Sequence, residues 1–197
     1  QSANIIHKSL FIWVAILSVL LLKEKISVRY LVAGILVCIG TYFFTPFKLI
    51  FGKGELFILI ATLFWSVENI LAKKVLFQTS SELVGLFRMV LGGAILLFIT
   101  LLSGKGKLLV GLNISQWQTI FIGGSILFFY VFTWYKALKY APASLVALIL
   151  TFSLVVGNIL NGSLAHVTLL RNDWYTMTFI IVAMGILIQR LFVRSHE

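Results

Sequence analysis

Residues 82–102 read ELVGLFRMVLGGAILLFITLL, in which Arg88 is the only charge after the opening Glu82. A helix of that length extends about 30 Å at roughly 1.5 Å per residue, the thickness of a bilayer's hydrocarbon core. The run reads as a membrane-crossing helix. Six further stretches share its character, at residues 3–22, 28–44, 54–72, 115–139, 143–164 and 173–192. Between them stand Lys23-Glu24-Lys25, Pro46 to Lys53, Lys73 to Ser81, Ser103 to Asn113, Ala141-Pro142 and His166 to Asn172. Each connection contains charges, Gly or Pro, which end helices and do not stay in hydrocarbon. All are short, so successive spans run antiparallel. The expected fold class is all-α, a polytopic transmembrane helical bundle with seven spans.

Composition agrees. The 197 residues are 60% hydrophobic and 11% charged, with a mean hydropathy of +1.07. An ordinary soluble domain is roughly 25% charged, so lipid has to solvate most of this surface, and the lipid bilayer is the first expected partner. The formal charge of +10 does not point to nucleic acid. A nucleic-acid binder gathers its basic residues on one wettable face, whereas these lie between apolar runs. Cys38 is alone and His7, His166 and His196 are scattered, which leaves no disulfide framework and no ligand spacing for zinc or haem. No cofactor or metal is expected.

Orientation follows from the side on which Lys and Arg collect. Lys23, Lys25, Arg29, Lys73, Lys74, Arg88, Lys136, Lys139, Arg190 and Arg194 fall on one side, and Lys8, Lys48, Lys53, Lys105, Lys107 and Arg171 on the other. The ten-to-six excess places the first side, and the C-terminus, in the cytoplasm of a cell whose plasma or inner membrane holds the chain. Trp117, Tyr140 and Tyr175 suit the interfacial belt. Gly85, Met89, Gly92 and Gly93 recur at helical spacing in the fourth span and read as a packing seam. The chain opens Gln1-Ser2-Ala3 without Met or a signal peptide, and the expectation is that it is a piece of a longer protein.

Two passages are distinctive. Ser9 to Ser27, SLFIWVAILSVLLLKEKIS, followed by Gly34 to Gly40, resembles the fourth and fifth helices of an EamA repeat. There the hairpin turns on a "Leu-Leu-Leu-Gly-Glu-Arg/Lys" phrase. Trp134 to Ala147, WYKALKYAPASLVA, resembles the "Tyr-x-x-Ala-Leu-x-x-x-Pro-Ala-Ser" junction between the third and fourth helices of the second repeat. Trp65 after an apolar run and Arg88 early in the next helix match the same family, the EamA-like drug/metabolite transporters. The resemblance implies a bundle of five plus five helices related by inverted topology. Residues 1–45 would be the last two helices of the first repeat, residues 54–193 a complete second repeat, and three further helices would precede them. The chain departs from the family where Phe11 and Leu154 stand at positions often occupied by Pro. Glu24 has no counterpart in the second repeat, where His166 and Val167 stand.

Glu68 is the most informative single residue. A carboxylate at the centre of a membrane helix costs on the order of 2.5–3.5 kcal/mol, so it should face protein or water. It either binds an amine group or a proton, or it pairs with Arg88 at similar depth on the antiparallel neighbour; both roles remain open. Trp65 and Asn69 flank it as weaker candidates. Asn158 and Asn161 share a face of the sixth span with Thr151, Leu154 and Ala165 by three-and-four spacing. With the resemblance, that stripe lines a solute cavity; without it, the stripe equally bonds a neighbouring helix. Lys136 reads as a snorkelling lysine.

The expected function is a secondary transporter, exporting a small metabolite or amino acid through a central cavity by alternating access, with proton coupling or by facilitated flow. The partner is then a small-molecule solute, and whether the chain forms a homodimer is left open. The alternatives are a membrane assembly or scaffold protein, which would have no need of Glu68 inside a helix, and a membrane enzyme on lipid-linked substrates. The enzyme reading lacks clustered His or paired carboxylates at one interface.

Overall fold

A computed structural model describes residues 6–44, 52–164 and 168–193. Among these residues the regular structure is entirely helical: α1 (Leu10–Leu22), α2 (Val28–Phe44), α3 (Lys53–Leu76), α4 (Ser81–Leu102), the short α5 (Gly106–Val110), α6 (Ile114–Tyr140), α7 (Ala143–Ile149), α8 (Ser153–Leu164) and α9 (Arg171–Val193). A 3-10 turn, Leu150–Phe152, joins α7 to α8. The expected start of the first span, and Lys48, Ala165 and Arg194, lie outside the described residues. Four helical stretches are long and apolar enough to cross a bilayer alone: Lys53–Leu76, Ser81–Leu102, Ile114–Tyr140 and Ala143–Leu164. Ile6–Leu22 and Val28–Tyr42 are apolar but shorter.

The helices start where local chemistry supplies partners for their free amides. Ser27 Oγ accepts the Tyr30 amide of α2 at 3.2 Å. Glu55 Oε2 accepts from Gly52 N at 3.1 Å ahead of α3, and Ser80 Oγ accepts from Leu83 N at 3.2 Å in α4. At α6, Asn113 and Gln116 form a reciprocal capping box with both bonds at 2.9 Å. The end of α1 is less usual. Lys23 closes it in the left-handed conformation, φ 55° and ψ 32°, at the position where the EamA phrase carries Gly.

The chain divides into two compact groups, residues 1–71 with 142–197, and residues 72–141. In the first group α1 packs on α7 and α2 packs along α9. Both pairs are antiparallel. Lys8, before α1, bonds Ser153, and Glu24, after α1, bonds Ala143 and Ser144. Gly40, late in α2, accepts at its carbonyl a 2.8 Å bond from Thr176 Oγ1, early in α9. A β-carbon at Gly40 would lie 3.0 Å from Phe179 Cβ, so the absence of a side chain permits this close approach. Val14, Ala33, Val37, Leu148, Ile180 and Ala183 form the apolar centre of the group.

In the second group α4 packs on α6 close to one end. Gly85 lies within 3.7 Å of Val131 and Tyr135 by its would-be β-carbon. Gly92 and Gly93 meet nothing within 4 Å among the described residues, so among these residues it is Gly85 that shows the close approach expected along the fourth span. Lys73 Nζ donates to the carbonyls of Leu138 at 2.6 Å and Ala141 at 2.9 Å. A cation thus satisfies the orphan carbonyls at the C-terminus of α6, where the helix dipole also favours positive charge. Lys139 Nζ bonds Thr79 O at 3.1 Å and ties the other side of the same end.

Candidate functional site

Trp65, Glu68 and Asn69 occupy one stretch of α3 that is turned into the first group. Thr62, Ser66 and Asn69 are fully buried. Thr62 and Ser66 return their hydroxyl protons to Ile58 O and Thr62 O, both at 2.8 Å, and Asn69 Nδ2 donates to Trp65 O at 2.9 Å. Each of these three bonds stays within α3. Glu68 is half-buried, and its Oε2 is withdrawn from solvent. Trp65 meets the His7 ring with centroids 5.0 Å apart.

On the α7–α8 helix Thr151, Leu154 and Asn158 are buried along one face. Asn158 is 7% exposed, and its Nδ2 has no hydrogen-bond partner among the described residues. Asn161, one turn further, is exposed. The inward stripe expected for both asparagines therefore ends at Asn158. Arg88 lies in the second group. It is exposed, donates from Nη1 to Tyr135 Oη at 2.8 Å, and stacks over the Tyr135 ring at 5.7 Å. Among the described residues no group of three His, Cys, Asp or Glu side chains is placed to hold a metal ion.

Three features escaped sequence reasoning. Glu24 caps α7: Oε1 accepts from Ala143 N at 2.7 Å, and Oε2 accepts from Ser144 Oγ at 2.8 Å and Ser144 N at 3.3 Å. A carboxylate there satisfies free amides and complements the helix dipole. The two passages that carry the family resemblance thus touch through this residue. A signal existed, since Pro-Ala-Ser opens a helix whose own N-terminal residue, Pro142, makes no side-chain cap.

The second and third features are interruptions in two apolar helices. The helix Ile6–Leu22 has a turn at Ser9, where Ser9 Oγ donates to Ile6 O at 2.6 Å and accepts from Trp13 Nε1 at 3.2 Å. The other break is the 3-10 turn Leu150–Phe152, where Thr151 Oγ1 donates to Leu148 O at 2.6 Å. They fall just before Phe11 and Leu154, the positions where the resemblance led one to expect Pro. Hydroxyl side chains that bond backward can bend a helix without Pro. The two interrupted segments meet, because Lys8 Nζ donates to Ser153 Oγ at 2.8 Å.

The model of the EamA-like transporter family matches residues 52–189, more than half of the chain. No curated protein and no solved structure matches it. With its apolar spans and antiparallel helical bundle, the chain belongs to the EamA-like transporter family, membrane transporters of the drug/metabolite superfamily.

Proposed function

We propose that the protein is a secondary transporter that exports a small metabolite or amino acid by alternating access through a central cavity. On this reading α1 and α2 are the last two helices of a first inverted repeat, and α3 to α9 form the second. The observation that supports it most is the antiparallel pairing of α1 with α7 and of α2 with α9. An inverted repeat of odd helix number sends equivalent helices in opposite directions, and interrupted helices at equivalent positions mark the solute site of such transporters. Glu68, withdrawn from solvent in a span where a carboxylate is costly, serves as the site for an amine or a coupling proton.

Flux of labelled amino acids and small metabolites in vesicles carrying the full-length protein tests this. Glu68→Gln should lower flux on the order of tenfold or more while leaving membrane insertion intact. Unchanged flux would reduce Glu68 to a structural role, and no flux of any solute in folded wild-type protein would remove the transporter reading. Sidedness is tested separately. In a Cys38→Ala background, cysteines at Ser80 and Ser103 should label from opposite faces of intact cells, with Ser80 cytoplasmic by the basic-residue excess.

A further inference from the structure

We propose that the Lys8 ammonium, held against Ser153 at the meeting point of the two interrupted helices, anchors a carboxylate group of the transported solute. The inference rests on the transporter reading and deepens it by naming a residue and a chemical class. A lysine near the end of an apolar helix ordinarily runs its stem outward and leaves its charge among the headgroups. Lys8 does otherwise. It is half-buried, and Nζ bonds a hydroxyl 145 positions along the chain.

The depth of that hydroxyl is informative. Ser153 lies ten residues beyond the start of α7 at Ala143, about 15 Å at helical rise, in a hydrocarbon core about 30 Å thick. The ammonium is therefore drawn toward mid-depth. Among the described residues no carboxylate forms an ion pair with it, and its hydrogen-bond partner there is the neutral Ser153. An ammonium carries three donors, and one serine oxygen occupies one of them. A single positive charge with donors to spare fits a monoanionic carboxylate, whereas a phosphomonoester would call for a second cation.

The surroundings give that carboxylate a neighbourhood. His7, adjacent to Lys8, places its ring against Trp65, and Glu68 follows Trp65 by about one turn of α3. The segment that carries Lys8 therefore packs beside the stretch of α3 that carries Trp65 and Glu68.

The test compares acids with their amides on full-length protein in proteoliposomes, using leucine against leucinamide and phenylalanine against phenylalaninamide as competitors of flux. Wild type should favour the acids at least tenfold, the lower end expected for a hydrogen-bonded charge. Lys8→Met should bring the acid-to-amide ratio close to one, and Lys8→Arg should retain part of it. Should Lys8→Met not fold, Ser153→Ala, at an exposed position, should weaken the acids several-fold and leave the amides unchanged. A wild-type ratio near one, a ratio that neither variant alters, or stronger competition by phosphoserine than by serine would overturn the carboxylate site. Any of these with solute flux intact leaves the transporter reading standing; no flux in folded protein removes both.

Discussion

The helical stretches Ala143–Leu164 and Ser81–Leu102 each have 22 residues and are almost equally apolar, yet half of an 18-residue window of the first is buried inside the molecule (50%) and hardly any of the matching window of the second (6%). Hydropathy puts both in the membrane and cannot tell them apart. The difference lies in a few polar and small residues. Ala143–Leu164 is held by Glu24 at its start and by Lys8 at its middle, both from sequence-distant segments. Ser81–Leu102 is joined to α6 near one end, through Gly85 and Arg88. Beyond that point Ile95, Leu96, Phe98 and Leu102 are exposed. Apolarity decides which solvent a helix enters, while sparse polar anchors decide what it packs against.

That contrast is most directly broken at Glu24. Glu24→Ala removes three bonds from the start of α7, and should cost about 2–3 kcal/mol in denaturant unfolding in detergent micelles. Stability equal to wild type would show that polar anchoring does not distinguish the two helices. Next in size is a pair of identical substitutions. Gly40→Ala would place a β-carbon 3.0 Å from Phe179 Cβ and should destabilise by about 1–2 kcal/mol, an overpacking effect. Gly92→Ala meets open space and should instead stabilise by about 0.5–1 kcal/mol through helix propensity. Equal signs in the two variants would erase the packing difference between the groups.

The smallest effect sharpens the comparison. Lys23 holds a left-handed conformation, a strain of roughly 1–2 kcal/mol for a residue with a β-carbon. Lys23→Gly relieves it and gives back about 0.4–1 kcal/mol through the freer unfolded chain. The net gain should be about 0.5 kcal/mol, read as a small rise in melting temperature. A loss would mean that the lysine side chain contributes more than its backbone costs.

Much of this architecture is legible in the chain itself. The span expected over 28–44 is α2 to the residue, that over 82–102 differs from α4 by one residue at its start, and that over 115–139 differs from α6 by one residue at each end. The third span runs a turn longer than expected, to Leu76, because Lys73 and Lys74 look like a helix end when read as charges. Lys73 is in fact buried against the end of α6, and Leu76 is 2% exposed. The site is less legible. In the run Ala147 to Leu154 six of eight positions are apolar, so periodicity there is weak, and the hydroxyl residues Thr151 and Ser153 are the sole sequence marks of the 3-10 turn. Asn158 and Asn161 share a helical face by spacing, yet their burial differs because packing ends between them. Glu24 read as a loop charge, since its partners are 119 and 120 residues away.

Those separations set an order of assembly during synthesis. Glu24 leaves the ribosome 119 residues ahead of Ala143, an interval of about 6–24 s at roughly 5–20 residues per second. Its carboxylate is solvated at the membrane surface until α7 emerges. The bonds from Lys8 to Ser153 and from Thr176 to Gly40 span 145 and 136 residues, so the α1–α2 side also waits for the last helices. In the second group the bonds that Lys73, Arg88 and Lys139 make to Leu138, Lys139, Ala141, Tyr135 and Thr79 span 47 to 68 residues, and each of these partners exists once Ala141 has been made. The sparsely packed hairpin is therefore complete before the better-packed core is able to close. A nascent chain halted between Ala141 and Arg171 would carry that hairpin with α2 still lacking its α9 partner, its Gly40 carbonyl without the Thr176 hydroxyl that it later meets.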